Sequence, residues 1–388
     1  MRRRHFEAWA PHCPICARDR GATPPLLLTP GFVEDAVEDR HDITFATLVC
    51  DDPACRAEYP VIDGIPVILA TLRQHLGDRA AELLLRDDLD DRAWSLLGDA
   101  MGPDSWLDVM RATLSTYGWD AYADLDPAEL PDPDGPQPGA ARRVLAALLD
   151  LAGPLSPIPL SPIPLSPTPL DPTRVLDLGC GAGRTAFDAA AACPGALVLG
   201  VEGNLALLRL ARRAAVRGEA AYPRRRIGLV YDTRRFPVAL PGHARVDFWA
   251  CDATALPFRP GAADLVLALN LIDCVPDPVA FLHAACALLR PGGALLLATP
   301  FDWAVRATPP AHWIGGHSQR GAGAGAAEPL LHSLLDGTHP RAVPGMRVAG
   351  TGDMPWHTRL HGRASVSYQT HLVAALSEIV AERLDKRF

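Results

Sequence analysis

The chain has 388 residues, of which 48% are hydrophobic and 21% charged, and its formal net charge is −8. That length accommodates one large domain with an appendage or two modest ones, with ample apolar content for a buried core. The acidic balance weighs against nucleic acid as a partner, because phosphate binders need a positive field, and no apolar run reaches the roughly 18 residues that suggest a membrane span.

The opening Met1-Arg2-Arg3-Arg4-His5 is basic but leads into no apolar stretch, so it does not read as a secretory signal, and a cytoplasmic location is expected. Cys13, Cys16, Cys50 and Cys55 cluster early, whereas Cys180, Cys193, Cys251, Cys274 and Cys286 are scattered through Ala/Leu-rich sequence. This is not the framework of a secreted disulfide protein and fits a reducing compartment. Cys13-Pro14-Ile15-Cys16 and the pair Cys50 and Cys55 form two knuckles, and four thiolates from two such turns can close a tetrahedral zinc site. Such a site has no open position, so its role would be structural. The alternative is four unbound, buried cysteines.

Residues 1–70 are therefore expected to form a zinc ribbon, and residues 71–138 a helical connector or cap. Within the latter, Leu107 to Tyr122 is helical and includes Tyr117, Trp119 and Tyr122. Those aromatics would either cap a cleft or join the ribbon to the rest. Residues 139–388 are expected to form an α/β domain, opening with a helix from Ala140 to Leu151. Residues 154–172 interrupt it with a repeat that has proline at almost every second place, which excludes helix and ladder and leaves polyproline II or disorder.

From Thr173 strands and helices alternate. Strands are expected at 174–178, 196–201, 246–250, 263–269 and 293–298, with helices at 184–193, 205–217 and 279–289. Apolar strands separated by helices imply a parallel sheet with right-handed crossovers. Arg224-Arg225-Arg226 is the densest basic run and reads as a solvated turn in preference to a phosphate-binding patch.

Asp177-Leu178-Gly179-Cys180-Gly181-Ala182-Gly183 lies between the first of these strands and its helix, the context in which glycines bring backbone close to a ligand at a helix N-terminus. Cys180 reads as a small buried side chain, not a nucleophile. Glu202, at the tip of the next strand, is placed to accept hydrogen bonds from both ribose hydroxyls of an adenosine. Then come Cys251-Asp252-Ala253-Thr254, Asn270 after the fourth strand, and Leu289-Arg290-Pro291-Gly292-Gly293 before the fifth.

Over roughly 172–300 this succession resembles the class I S-adenosylmethionine-dependent methyltransferases. The resemblance implies a Rossmann-like, mostly parallel seven-stranded sheet. It also implies a cofactor held by Asp177, Gly179, Gly181, Gly183, Glu202, Asp252, the amide of Ala253, and Asn270. A nicotinamide dehydrogenase shares the glycine turn and the acidic residue but not the two later features.

A finer resemblance spans about 173–370. It is carried by Asn270-Leu271-Ile272-Asp273, Thr299-Pro300-Phe301-Asp302-Trp303, Trp313-Ile314-Gly315-Gly316, Asp353-Met354-Pro355-Trp356 and Arg225 to Asp232. These segments are similar to the C-terminal N-methyltransferase domain of ovothiol-synthesis enzymes, which acts on a thiolated histidine imidazole. The chain departs from that group at Cys274, where an arginine is usual, and at Asp302, where a hydroxyl residue is usual. It also lacks the iron-dependent module that normally precedes the domain. The resemblance thus implies a small-molecule or peptide-borne heterocycle as acceptor.

Asp273 is the candidate base, or alternatively a helix cap. Tyr231, Trp303 and Trp313 are candidate aromatic walls. His317, in a glycine-bounded loop, is a candidate on a mobile lid. The segments around Cys50 and Tyr59 to Leu69 resemble small zinc-ribbon proteins that activate tRNA and ribosome methyltransferases. That likeness keeps two rivals open: an RNA base methyltransferase and a catalytically silent scaffold. The oligomeric state is not legible.

Overall fold

The computed structural model describes residues 1–29, 33–37, 40–62, 64–72, 103–130, 135–153 and 173–378. The helical reading over 73–102 and the repeat at 154–172 lie outside the described residues.

The chain opens with two short helices, α1 (Arg3–Trp9) and α2 (Pro14–Arg20), and five strands. The strands are β1 (Leu26–Leu28), β2 (Val33–Val37), β3 (Arg40–Cys50), β4 (Glu58–Ile62) and β5 (Ile65–Ile68). Helices α3 (Trp106–Tyr122) and α4 (Ala140–Ala152) follow. The alternating part then runs β6 (Arg174–Leu178), α5 (Arg184–Ala192), β7 (Leu197–Glu202), α6 (Leu205–Arg217), β8 (Glu219–Ile227), β9 (Val230–Pro237), β10 (Val246–Cys251) and β11 (Ala263–Leu269). It ends with α7 (Pro278–Ala287), β12 (Leu289–Thr299), α8 (Ala327–Leu335), β13 (Met346–His361) and β14 (Ala364–Ser377).

The catalytic-type sheet has the order β10-β7-β6-β11-β12-β14-β13. The first five strands are parallel, β14 runs antiparallel to them, and β13, antiparallel to β14, resumes their direction. Buried runs such as Ala263 to Leu269 explain the parallel core: both faces are covered by helices, so every position must be apolar or satisfied. This is the expected Rossmann-like sheet of seven strands.

Helix ends follow local chemistry. Asn204 caps α6 by accepting from the amides of Ala206 and Leu207, and Gly218 closes it in the left-handed region. Asp277 caps α7, with Pro278 at its first position.

The sheet does not stop at β10. The ribbon strand β5 continues it in parallel, Val67 and Ile68 standing opposite Ala250 and Cys251, and β4, β3 and β1 extend the sheet beyond. Trp9 packs on Phe258 with ring centroids 5.1 Å apart, and Phe6 on Trp249 at 6.3 Å. Polar ties cross the same seam. The Arg2 amide donates to Asp247 (2.6 Å), the His12 amide to the Pro257 carbonyl (2.7 Å), and Arg212 pairs with Asp42 (3.1 Å). His5 is wholly buried against the carbonyls of Val198 and Arg245, and burial pulls its pKa down to about 4, so it sits there neutral.

Two features were not legible. Between α6 and β10 the chain makes an antiparallel hairpin, β8–β9, where the sequence suggested only a surface turn. Arg224 pairs there with Glu129 (2.5 Å) and Arg226 with Asp232 (3.1 Å), so the basic run is neutralised. The long β13–β14 ladder also went unread, because its outer half alternates with polar residues.

Candidate active site

The glycine turn follows β6 at the carboxyl end of the sheet, where ligands bind in open α/β folds. Gly181 and Gly183 both adopt positive φ, 53° and 87°. A Cβ on Gly183 would come within 2.6 Å of the Ala211 methyl, and one on Gly181 within 3.1 Å of the Tyr117 ring. The turn is therefore shaped both by conformation and by lack of room. Asp177 lies beneath it, 1% exposed, accepting from the Thr185 hydroxyl. Burial pushes Asp177 up to about 7, and the Glu202 charge adds to this against the Thr185 bond. It supports the turn from below and does not face the cleft.

Glu202 closes the other side. Its carboxylate accepts from the Gly181 amide (3.3 Å) and the Asn204 amide (2.9 Å), which fixes it at the mouth of the turn. Asn270 has φ 52°, and its amide donates to the Ala298 carbonyl (2.7 Å). Its side-chain oxygen is buried and has no hydrogen-bond partner among the described residues. Turn, carboxylate and orphaned amide oxygen together fit the donor and acceptor groups of a nucleoside-linked amino acid such as S-adenosylmethionine.

These groups open into a cavity of about 530 Å³ that includes Gly179, Gly181, Glu202, Asn270 and Asp273 in its wall. Of the other sequence candidates, Asp177 and Gly183 lie behind the turn. Asp252 is exposed after β10 and accepts from Thr254 through both its amide (2.8 Å) and hydroxyl (2.6 Å), with half-buried Ala253 beside it.

Asp273 is 2% exposed. One carboxylate oxygen accepts from the Asp302 amide (2.9 Å), and Oδ1 has no partner among the described residues. It caps no helix, since α7 takes its cap from Asp277. Burial drives its pKa up to about 6, and the Asp302 charge raises it further against the two backbone donors. Cys274 beside it is pushed to about 12 by burial and the same carboxylates, so it stays a thiol.

Tyr231 and His317 are not brought to the cavity. The Tyr231 hydroxyl donates to Asp108 (3.1 Å) under the Arg111 guanidinium (4.2 Å to the ring), and His317 is exposed. Trp303 and Trp313 stack on each other, 5.8 Å apart and 10° from parallel, outside the lining.

What reasoning from sequence missed in the wall is Asp120 from α3 and Tyr368 from β14; Asp302 and Trp356 stood within the segments that carried the finer resemblance but were given no role. Tyr117 and Asp120, three apart on one helix, were the available signal; Tyr368 offered none. The α3 aromatics resolve into a cap: Tyr117 lines the cavity, the Tyr122 hydroxyl donates to the Ala182 carbonyl (2.6 Å), and the Trp119 indole to Glu129 (3.0 Å).

The four ribbon sulfurs, Cys13, Cys16, Cys50 and Cys55, lie within 4.8 Å of one another. Cys16 to Cys50 is 3.6 Å and Cys13 to Cys55 is 3.9 Å. Thiolates about 2.3 Å from a tetrahedral zinc stand roughly 3.8 Å apart, so the donor set fits that ion.

Residues 176–297 match the family model described as a methyltransferase domain. That stretch, from β6 to β12, is a methyltransferase domain. Among curated proteins it is similar to the ubiquinone biosynthesis O-methyltransferase of Haemophilus ducreyi, 29% identical over 126 residues, 32% of this chain and 44% of that one. The counterpart from Xanthomonas campestris pv. campestris is 44% identical over 41 residues, 11% of this chain and 17% of that one. The matches thus span less than half the length of these relatives. Among solved structures it is similar to Haemonchus contortus phosphoethanolamine N-methyltransferase 2 with S-adenosyl-L-methionine (24% identity, TM-score 0.26, 40% of this chain and 28% of that one). A 16S rRNA adenine methyltransferase from Catenulisporales acidiphilia also matches (20% identity, TM-score 0.35, 54% and 87%).

Proposed function

We propose that the protein methylates a ring nitrogen of a small, imidazole- or thiolhistidine-like acceptor, free or peptide-borne. The observation that carries this reading is the unsatisfied, buried Oδ1 of Asp273 in the wall of the cavity. A buried acceptor without a donor is costly, and a heterocyclic N–H would satisfy it.

The donor S-adenosylmethionine, when bound, supplies an activated sulfonium methyl. In this reading Glu202 accepts from the ribose hydroxyls, Asp252 and the Ala253 amide address the adenine, and Asn270 with the glycine turn holds the amino-acid end. Asp273 would orient the acceptor through the N–H of one ring nitrogen and take that proton while the lone pair of the other ring nitrogen is aligned with the methyl group. The α3 cap, through Tyr117, keeps water from the reacting atoms. Tyr231 and His317 have no acceptor contact in this assignment. The ribbon cysteines hold a structural zinc and take no part in the chemistry.

Charge favours this reading over RNA modification. Asp120, Glu202, Asp273 and Asp302 line the cavity, and its arginine, Arg184, is held by Asp124 (2.6 and 2.9 Å) and Asp188 (2.9 Å). A phosphodiester would meet like charge there.

The test is mass spectrometry of reactions with S-adenosylmethionine, offering histidine-derived thiols and imidazoles beside an RNA extract. A singly methylated imidazole supports the reading. Methyl groups found only in RNA replace it with base modification, and the ribbon then becomes an RNA-binding module.

A further inference from the structure

The wall that α3 forms beside the glycine turn contains a second carboxylate that the proposed chemistry does not use. Asp120 lies on α3, one turn beyond Tyr117, and faces the cavity. The indole N–H of Trp356, itself 7% exposed, donates to its carboxylate. The other oxygen, Oδ1, is sealed from solvent and has no partner among the described residues.

The nearest cations do not serve it. Arg184 is committed to Asp124 and Asp188, and Arg143 donates to the carbonyls of Pro138 (2.6 Å) and Gln137 (3.2 Å). A buried carboxylate with one empty oxygen is an environment in which an ammonium is stabilised by ion pairing. Tyr117, Glu202, Asp120 and Asp273 all line this one cavity.

We propose that Asp120 and Trp356 form a subsite for a positively charged group, making Asp120 a specificity residue that selects an acceptor bearing an ammonium. This rests on the reading of the cavity as an acceptor site. One molecule would span it, its ammonium at Asp120 and its ring N–H at Asp273. Asp120 touches no reacting atom, so it contributes to acceptor binding and selection, not to the chemical step.

The experiment is calorimetry on the full chain saturated with S-adenosylhomocysteine, titrated with three imidazoles that differ only in their tail. These are histamine (cationic), 4-methylimidazole (neutral) and imidazole-4-acetate (anionic). Histamine is expected to bind about tenfold or more tighter than 4-methylimidazole, and the acetate to give no heat. In Asp120→Asn the advantage of histamine disappears while affinity for S-adenosylmethionine is unchanged. Equal binding of histamine and 4-methylimidazole in the unaltered protein overturns the proposal. So does weakened S-adenosylmethionine binding in Asp120→Asn, which would assign the carboxylate to the donor's own ammonium.

If no imidazole binds, the imidazole reading fails and the charge question is decided on the unaltered protein. A small-molecule extract is split by ion exchange, and each fraction is offered with radiolabelled S-adenosylmethionine. Label in the fraction retained by the cation exchanger supports the subsite. Label only in the other fractions, or in none, overturns it.

Discussion

At the scale of single residues, Asp273 ties burial to rate. Its carboxyl is pushed up to about 6 by burial, with Asp302 as the facing like charge and Cys274, Tyr117 and Tyr368 as uncharged neighbours. The ionised form is the one that accepts a proton, so it is lost as pH falls through about 6. We expect kcat/KM to fall about tenfold per pH unit below that value and to be flat above it up to the next ionisation. Asp273→Asn should abolish this limb and lower kcat by about 10²–10⁴-fold. A limb that survives in the variant places the base elsewhere.

Glu202 makes a separate prediction about the donor. Removing a charged acceptor of ribose hydroxyls costs about 1.5–3 kcal/mol, so Glu202→Ala should weaken S-adenosylmethionine binding roughly 10–100-fold by calorimetry. Unchanged affinity refutes the assignment. Both residues were legible because each follows a strand end in a local pattern. Asp120 and Tyr368 were not, because remote segments bring them together; Trp356 ended a segment that carried the finer resemblance, but nothing there pointed to Asp120.

At the scale of elements, α3 is positioned by a contact between small and large residues. Gly118 lies against Tyr222 of the β8–β9 hairpin so closely that an added Cβ would stand 2.5 Å from the base of the ring. Gly118→Ala should therefore destabilise the chain by about 1–3 kcal/mol in urea denaturation, despite alanine's better helix propensity. A stabilised variant would mean that the helix shifts freely on the hairpin. Helices α4 to α7 were legible from apolar spacing, whereas the caps Asn204 and Asp277 were seen only in the structure. The hairpin was not, because its arginines pair with acids distant in sequence, such as Glu129, and a run of like charge reads locally as solvated surface.

For the molecule as a whole, the ribbon and the catalytic-type sheet form one continuous β structure with a shared buried cluster that includes Trp9, Cys16, Tyr59, Trp249 and Phe258. Two bodies with a common core unfold together, so heating should give a single cooperative transition. Stripping zinc with a chelator should lower its midpoint and expose the edge of β10. Two separable transitions, or a midpoint indifferent to chelation, would show that the ribbon contributes nothing to the fold of its neighbour. The cysteine spacing made the ribbon legible, but its docking was not, because β5 joins β10 through only two residue pairs that no periodicity announces.

That short parallel seam also sets an order of events on the ribosome. Val67 and Ile68 emerge early, yet their partners Ala250 and Cys251 are made only after the intervening chain, on the order of tens of seconds later at ordinary translation speeds. During that interval β5 of the nascent ribbon is paired with β4 on one side only, and its other edge stands open. Metal held by its four thiolates would keep it ordered, and a chaperone or a second nascent chain would be its competitor partners. Availability of zinc during synthesis, more than in the finished protein, would then decide how much of the chain reaches its assembled form.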